Sequence, residues 1–228
     1  MKLFELISFT PRQTKTTAGE YAKRLRAGSK AKYAGSGSLG AAFDIESGKR
    51  LGQITKLGKA AKSDLVKAVP VENVSEDGYL SYLSAVYDRE QKGHGNPYFP
   101  VIHDLDIMRG PDKKLHYNIK LEKLVPFYSA KLVGNLDLMA SLYEHMFGEL
   151  EREDYRTGEA VANVILVVLN HAFSVPSTVK DPDLLDSIKL VNSVIKTNSD
   201  FRLDLHSNNV MWRITGTMPQ LVILDPIV

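Results

Sequence analysis

Between Lys30 and Leu57 the chain is interrupted by Gly35, Gly37, Gly40, Ser47-Gly48 and Gly52. Each glycine inside a helix costs roughly 1 kcal/mol relative to alanine. This spacing leaves no room for a long helix and predicts short strands instead: a β-hairpin followed by a third strand. The pattern then changes. Leu80, Leu83, Val86 and Tyr87 share one face of a helix predicted over 75–91, which the segment Gly93–Pro97 ends. Strands are predicted at 101–106 and 115–124, around the turn Arg109-Gly110-Pro111-Asp112. Helices follow at 135–152, 158–173 and 183–197, and strand-like runs return at 210–214 and 220–224. Ahead of all this, Thr10 and Pro11 suit the start of a short helix over 11–26, with Tyr21 and Leu25 at helical spacing. The chain therefore reads as α+β, with an extension over 1–29, a β-rich unit over 30–124 and a mostly helical unit over 125–228. The boundary is predicted near Glu122–Pro126.

Composition narrows the function. With 43% hydrophobic residues in 228, the chain can bury a core, and with no cysteine it can form neither disulfides nor thiolate metal sites. The longest apolar run, Val164 to Leu169, is far short of the roughly 20 residues of a membrane span. Glu5 interrupts what would be the apolar core of a signal peptide, so a cytoplasmic protein is expected. The net charge of +2 hides an asymmetry: residues 1–70 hold 14 Lys/Arg against 5 Asp/Glu, leaving a net −7 for the rest. The split fits a phosphate-facing first part and an acidic, metal-binding second part, or simply two solvated surfaces. Nucleic-acid binding through residues 1–70 would rest on charge alone, without interleaved aromatics.

Gly35-Ser36-Gly37-Ser38-Leu39-Gly40 matches G-x-G-x-x-G, a pattern in which bare glycine backbones approach a phosphate. A Walker A loop would need Lys-Ser/Thr after the last glycine, where Ala41-Ala42 stands. A Rossmann loop must open a helix, yet the Ser47-Gly48 turn follows within eight residues of Gly40. The options left are a glycine loop bent between two strands over a nucleotide, as in protein kinases, or an ordinary glycine-rich turn. The kinase option demands a lysine on the third strand, reaching the phosphates, and an acid on the next helix to hold it. Lys56, in Ile54-Thr55-Lys56-Leu57, and Glu76, at the head of the predicted helix, meet that demand; Asp77 is the poorer choice of acid.

The richest stretch is Asp204-Leu205-His206-Ser207-Asn208-Asn209-Val210-Met211, followed by Leu221-Val222-Ile223-Leu224-Asp225. In a phosphotransferase one carboxylate orients the acceptor hydroxyl, while an amide five residues on and a second carboxylate beyond a hairpin share the metal ions. Asp204, Asn209 and Asp225 have that spacing. Because Asp225 ends an apolar strand paired with the one after Asn209, all three are expected at one end of a hairpin.

Over roughly residues 30–228 the chain resembles a minimal protein-kinase-like phosphotransferase, closest to the small serine/threonine protein kinases of short-tailed bacteriophages. The resemblance rests on the glycine loop running into Ala41-Ala42-Phe43, on the 204–211 loop and on Leu224-Asp225-Pro226. Asp204-Leu205-His206 is also similar to the aminoglycoside and choline kinase branch of the same fold. It implies a two-lobed fold with a β-rich first lobe and a minimal helical second lobe truncated after the metal-binding Asp225. It further implies ATP and Mg2+ as cofactors, a host protein as substrate in the bacterial cytoplasm, and no membrane partner. Lys56, Glu76, Asp204 and His206 are then the catalytic set. Gly35, Ser36, Gly37, Ser38, Gly40, Lys56, Glu122 and Met211 hold nucleotide, and Asn209 with Asp225 holds the metal. His206 stands where such kinases carry a loop lysine. Arg202-Leu203 replaces the usual His-Arg before the aspartate, Pro226-Ile227 replaces Phe-Gly, and three residues follow Asp225, so neither an activation loop nor a later helical subdomain is expected. The missing substrate platform favours the alternative of a pseudokinase-like module that inhibits a host enzyme; the intact Asp204/Asn209/Asp225 set favours catalysis.

Overall fold

The computed structural model describes residues 12–13, 32–36, 41–46, 63–71, 76–109, 111, 115–122, 124–151, 154–215 and 218–228. It is an α+β chain that divides into two units, residues 1–83 with 101–123 and residues 84–100 with 124–228.

The first unit is built on one six-stranded sheet. Its strands are β1 (Arg12–Gln13), β2 (Lys32–Ser36), β3 (Ala41–Glu46), β4 (Ser63–Val71), β5 (Ile102–Arg109) and β6 (Leu115–Leu121), in the order β1-β5-β6-β4-β3-β2. All neighbours are antiparallel except β1 and β5. The glycine-broken segment does form a hairpin, β2 with β3, whose register shifts between Tyr33 and Gly35 before Gly35 pairs with Ala42. Two expectations change here. Arg12 and Gln13, placed in a helix by their sequence, pair instead with Met108 and Arg109, because the open edge of β5 offers backbone partners that outweigh a weak local propensity. The third strand of the hairpin set is β4, further along the chain than expected. Pro70 argues against a strand there, yet it pairs with His116 of β6, two residues beyond Ala68, the last β4 residue with a described partner on β3.

Tyr117, Ile119 and Leu121 of β6 and Ile102, Leu105 and Ile107 of β5 are buried, so these strands carry much of this unit's core. The helix α1 (Gly78–Gln91) starts three residues later than predicted, because Asp77 caps it: its Oδ1 accepts from Leu80 N at 2.7 Å. The spacing predicts one apolar face, yet every residue from Asp77 to Val86 is buried. Ser81, Ser84 and Ala85 are small enough for burial on the faces between the larger residues.

The second unit is mostly helical. It contains α2 (Ala130–Val133), α3 (Leu136–Phe147), α4 (Gly158–Ser174), a 3₁₀ turn at Pro176–Thr178 and α5 (Pro182–Ile195), with a three-stranded antiparallel sheet of β7 (Val125–Pro126), β8 (Val210–Thr215) and β9 (Met218–Ile223). Each long helix begins at a side-chain cap: Asn135, Thr157 and Asp181 accept from Leu138 N, Ala160 N and both Asp183 N and Leu184 N. The helix expected over 135–152 stops at Phe147, because Gly148 takes a left-handed φ of +106° and a Cβ there would strike the Lys180 side chain. Met139, Leu142, Val161, Ile165, Leu169, Ile188 and Val191 form the core with Trp212 of β8.

Residues 84–100 belong to this unit through specific bonds. Ile223 N donates to Tyr98 O, and the Arg213 guanidinium donates to Pro97 O and Phe99 O. The Tyr98 hydroxyl donates to Asp181 Oδ2 at 2.7 Å, and His145 Nε2 lies 2.8 Å from the same oxygen. Burial first, and then the Asp181 carboxylate, push the Tyr98 phenol well above its ordinary value of 10.0. An unfolded tyrosine ionises near that value while the folded one keeps its proton, so this stabilisation is full below about pH 10 and is lost as pH rises beyond it. Tyr98→Phe is expected to cost about 1 kcal/mol at neutral pH and to flatten the alkaline fall in stability. Urea unfolding at neutral pH and above about pH 10 checks both.

Candidate active site

The site residues of the second unit are gathered by two antiparallel pairings. In the first, β8 pairs with β9 from Val210–Ile223 to Thr215–Met218, which brings Asn209, just before β8, beside Leu224 and Asp225, just after β9. Asn209 O accepts from Leu224 N at 2.8 Å and from Asp225 N at 3.3 Å. In the second, the residues after Asp225 return along those before Asp204. Arg202 and Val228 exchange both backbone bonds, Leu203 bridges Ile227, and Asp204 N donates to Pro226 O at 2.9 Å. The apolar runs on either side direct this folding, since Phe201, Leu205, Val210, Leu221 to Leu224 and Ile227 are all buried.

Asn209 closes the loop. Its Nδ2 donates to Asp204 O at 2.7 Å and to Asp204 Oδ2 at 3.1 Å. Both amide hydrogens being directed at Asp204, Oδ1 is left on the other side of the amide as an acceptor. Asp204, Asn209 and Asp225 are each half-buried. His206 is exposed; its Nδ1 accepts from Asn208 N at 3.2 Å, and its Nε2 lies 3.6 Å from Asp204 Oδ2. With Nδ1 accepting, the neutral ring carries its proton on Nε2, toward the Asp204 carboxylate. Met211 is half-buried between the buried Val210 and Trp212.

Among the described residues no group of three or more His, Asp or Glu is placed to hold a metal. Magnesium does not need one: it takes one or two carboxylates, completing its six oxygens with water and substrate phosphates. An Asn209 Oδ1 turned from Asp204 and the Asp225 carboxylate on the adjoining segment fit that donor set.

In the first unit, Gly35 and Ser36 lie on β2, opposite Ala42 and Ala41. Gly37, Ser38, Gly40 and Lys56 lie outside the described residues. Glu76 is exposed and precedes α1 instead of standing on it, because the cap is Asp77. Asp77, the acid ranked second by its position, is buried, and its Oδ2 accepts from the Tyr117 hydroxyl at 3.2 Å. Glu122 is half-buried; its Oε1 accepts from Val101 N at 2.8 Å and its own N donates to Val101 O, fastening the start of β5 to the end of β6.

Two residues escaped the sequence reading. Lys67 lies at the middle of β4, paired with Ala42 on one side and Ile119 on the other. The β-branched, apolar run Leu65-Val66-Lys67-Ala68-Val69 around it was its signal, obscured by Pro70. Asn170, on α4, donates to Leu205 O inside the 204–209 loop at 3.1 Å. Its signal was an amide at the end of the chain's longest apolar run. In comparisons with known proteins, no protein-family model and no curated protein matches the chain.

Proposed function

We propose that the chain is an ATP- and magnesium-dependent phosphotransferase with a two-lobed, protein-kinase-like fold, acting on serine or threonine hydroxyls of host proteins in an infected bacterium. The observation that carries this reading is the Asn209 side chain on the Asp204 carbonyl and carboxylate, with the Asn209 carbonyl on the Asp225 amide. One residue thereby holds a carboxylate suited to an acceptor hydroxyl next to two oxygen donors suited to a cation. In this reading Asp204 orients the hydroxyl and takes its proton as the oxygen attacks. Asn209 and Asp225 hold magnesium, which supplies charge neutralisation on the phosphates. His206, steadied by Asn208 N, presents a ring nitrogen beside the Asp204 carboxylate.

For the phosphate lysine, β4 favours Lys67 over Lys56. The strand next to the second arm of the glycine hairpin is where the chemistry needs it, and Ala42–Lys67 pairing puts it within two residues of Gly40 across the ladder. Lys67→Met is expected to lower transfer by about 10²-fold, and Lys56→Met to leave it near wild type; initial rates of label transfer under saturating magnesium check the pair. An equal loss in Lys56→Met alone would return the role to Lys56.

The reading as a whole is tested by incubating the purified chain with γ-labelled ATP, with magnesium or EDTA, and with or without bacterial lysate, followed by a denaturing gel. Magnesium-dependent label on protein is expected. Its absence, with nucleotide binding intact by calorimetry, would favour the inhibitory binding module instead.

A further inference from the structure

Asparagine is a poor residue for a helix interior, because its short amide competes for nearby backbone groups. Asn170 nevertheless follows the apolar run Val164 to Leu169 directly within α4. Its hydrogen bonds give the reason. Nδ2 donates back to Leu166 O at 2.9 Å and across to Leu205 O, 35 residues further along the chain, at 3.1 Å. Leu205 stands between Asp204 and His206, and its own side chain is buried.

The other bonds of this loop run within it or to the segment after β9. Asp204 N reaches Pro226 O, Asn209 N reaches His206 O, and Asn209 O receives Leu224 N and Asp225 N. Asn170 ties the loop to a helix. Two consecutive carbonyls are thus each held by an asparagine amide, Asp204 O by Asn209 and Leu205 O by Asn170. Peptide units are planar, so fixing both carbonyls holds the planes on either side of the Leu205 Cα, the first of which is bonded directly to the Asp204 Cα.

We propose that Asn170 is a positioning residue for phosphate transfer: by holding the Leu205 carbonyl it sets the direction in which the Asp204 carboxylate meets the acceptor hydroxyl. This inference rests on the phosphotransferase reading. Asn170 touches neither Asn209 nor Asp225 through these bonds, so its loss acts on the hydroxyl-directing group and not on the metal ligands. Displacement of a catalytic group by about 1 Å can cost about 10²-fold in rate.

The test compares Asn170→Leu, apolar and helix-favouring, with Asn170→Asp, which keeps the shape but offers no donor, and with Asn170→Gln, which keeps the donor. In the full chain, kcat is expected to fall by about 10- to 100-fold in the Leu and Asp variants, with the KM for ATP within about twofold and a cooperative melt retained; the Gln variant should recover part of the rate. Amide hydrogen exchange at residues 204–209 should quicken in the Leu and Asp variants while the α5 core stays protected. An unchanged kcat in either folded variant, a loss confined to the KM for ATP, or failure of both variants to fold would overturn the proposal. A wild-type chain that transfers no phosphate overturns the phosphotransferase reading and the catalytic role with it. The exchange comparison would then show by itself whether Asn170 holds the loop.

Discussion

Asp204→Ala is expected to lower phosphate transfer by about 10³-fold while leaving magnesium-dependent nucleotide binding close to wild type. Asp225→Ala is expected to lose both. The difference follows from the two pairings at the site. Asp204 is tied through its backbone to Pro226 and through its carbonyl and carboxylate to the Asn209 amide, which puts it on the loop side of the cluster. Asp225 follows β9 and meets the Asn209 backbone, on the side where the second oxygen donor of a cation site would stand. Calorimetric titration of ATP with and without magnesium, alongside single-turnover transfer, separates the two losses. Transfer at the wild-type rate by either folded variant would remove the catalytic assignment, and equal loss of nucleotide binding in both would show that Asp204 serves binding, not the hydroxyl.

Trp212→Ala is expected to destabilise the second unit by about 3–5 kcal/mol. Trp212 is fully buried, its ring stacks on Phe127 with centroids 5.5 Å apart, and its Nε1 donates to Phe127 O at 2.9 Å. Removal would leave a large cavity under β8 and strip the Phe127 carbonyl of its donor. The effect should reach the site as well, since β8 carries the register that sets Asn209 against Leu224 and Asp225. Urea unfolding followed by far-ultraviolet dichroism measures the loss, which avoids relying on the fluorescence of the chain's only tryptophan. Trp212→Phe should cost much less, about 1–2 kcal/mol, because an aromatic ring remains to stack. A Trp212→Ala chain as stable as wild type would refute this account of the second unit's core.

Local signals and tertiary structure divided the work unevenly along the chain. The α4 and α5 helices were legible to within a residue or two at most ends, because Thr157 and Asp181 cap them and apolar residues recur at helical spacing. The hairpin β8–β9 and the convergence of Asp204, Asn209 and Asp225 were legible for a similar reason: short range. The spacing places Asn209 and Asp225 at opposite arms of one hairpin, and local pairing needs no knowledge of the rest of the fold.

Neighbouring residues settled the glycine-hairpin pairing of β2 with β3, the capped helices, and the polar residues at the end of a C-terminal hairpin. Tertiary structure decided the features that need a distant partner. Arg12 and Gln13 become a strand because β5 offers them backbone partners, and Pro70 is accommodated in β4 opposite His116 of β6. Asp77, and not Glu76, caps α1, through the Leu80 amide, and the Tyr117 hydroxyl reaches it from β6. Asn170 matters through a carbonyl 35 residues away. Propensity and periodicity carry information over a few residues, whereas backbone hydrogen bonds across a sheet, and buried polar pairs, are satisfied by whichever segment the fold brings alongside.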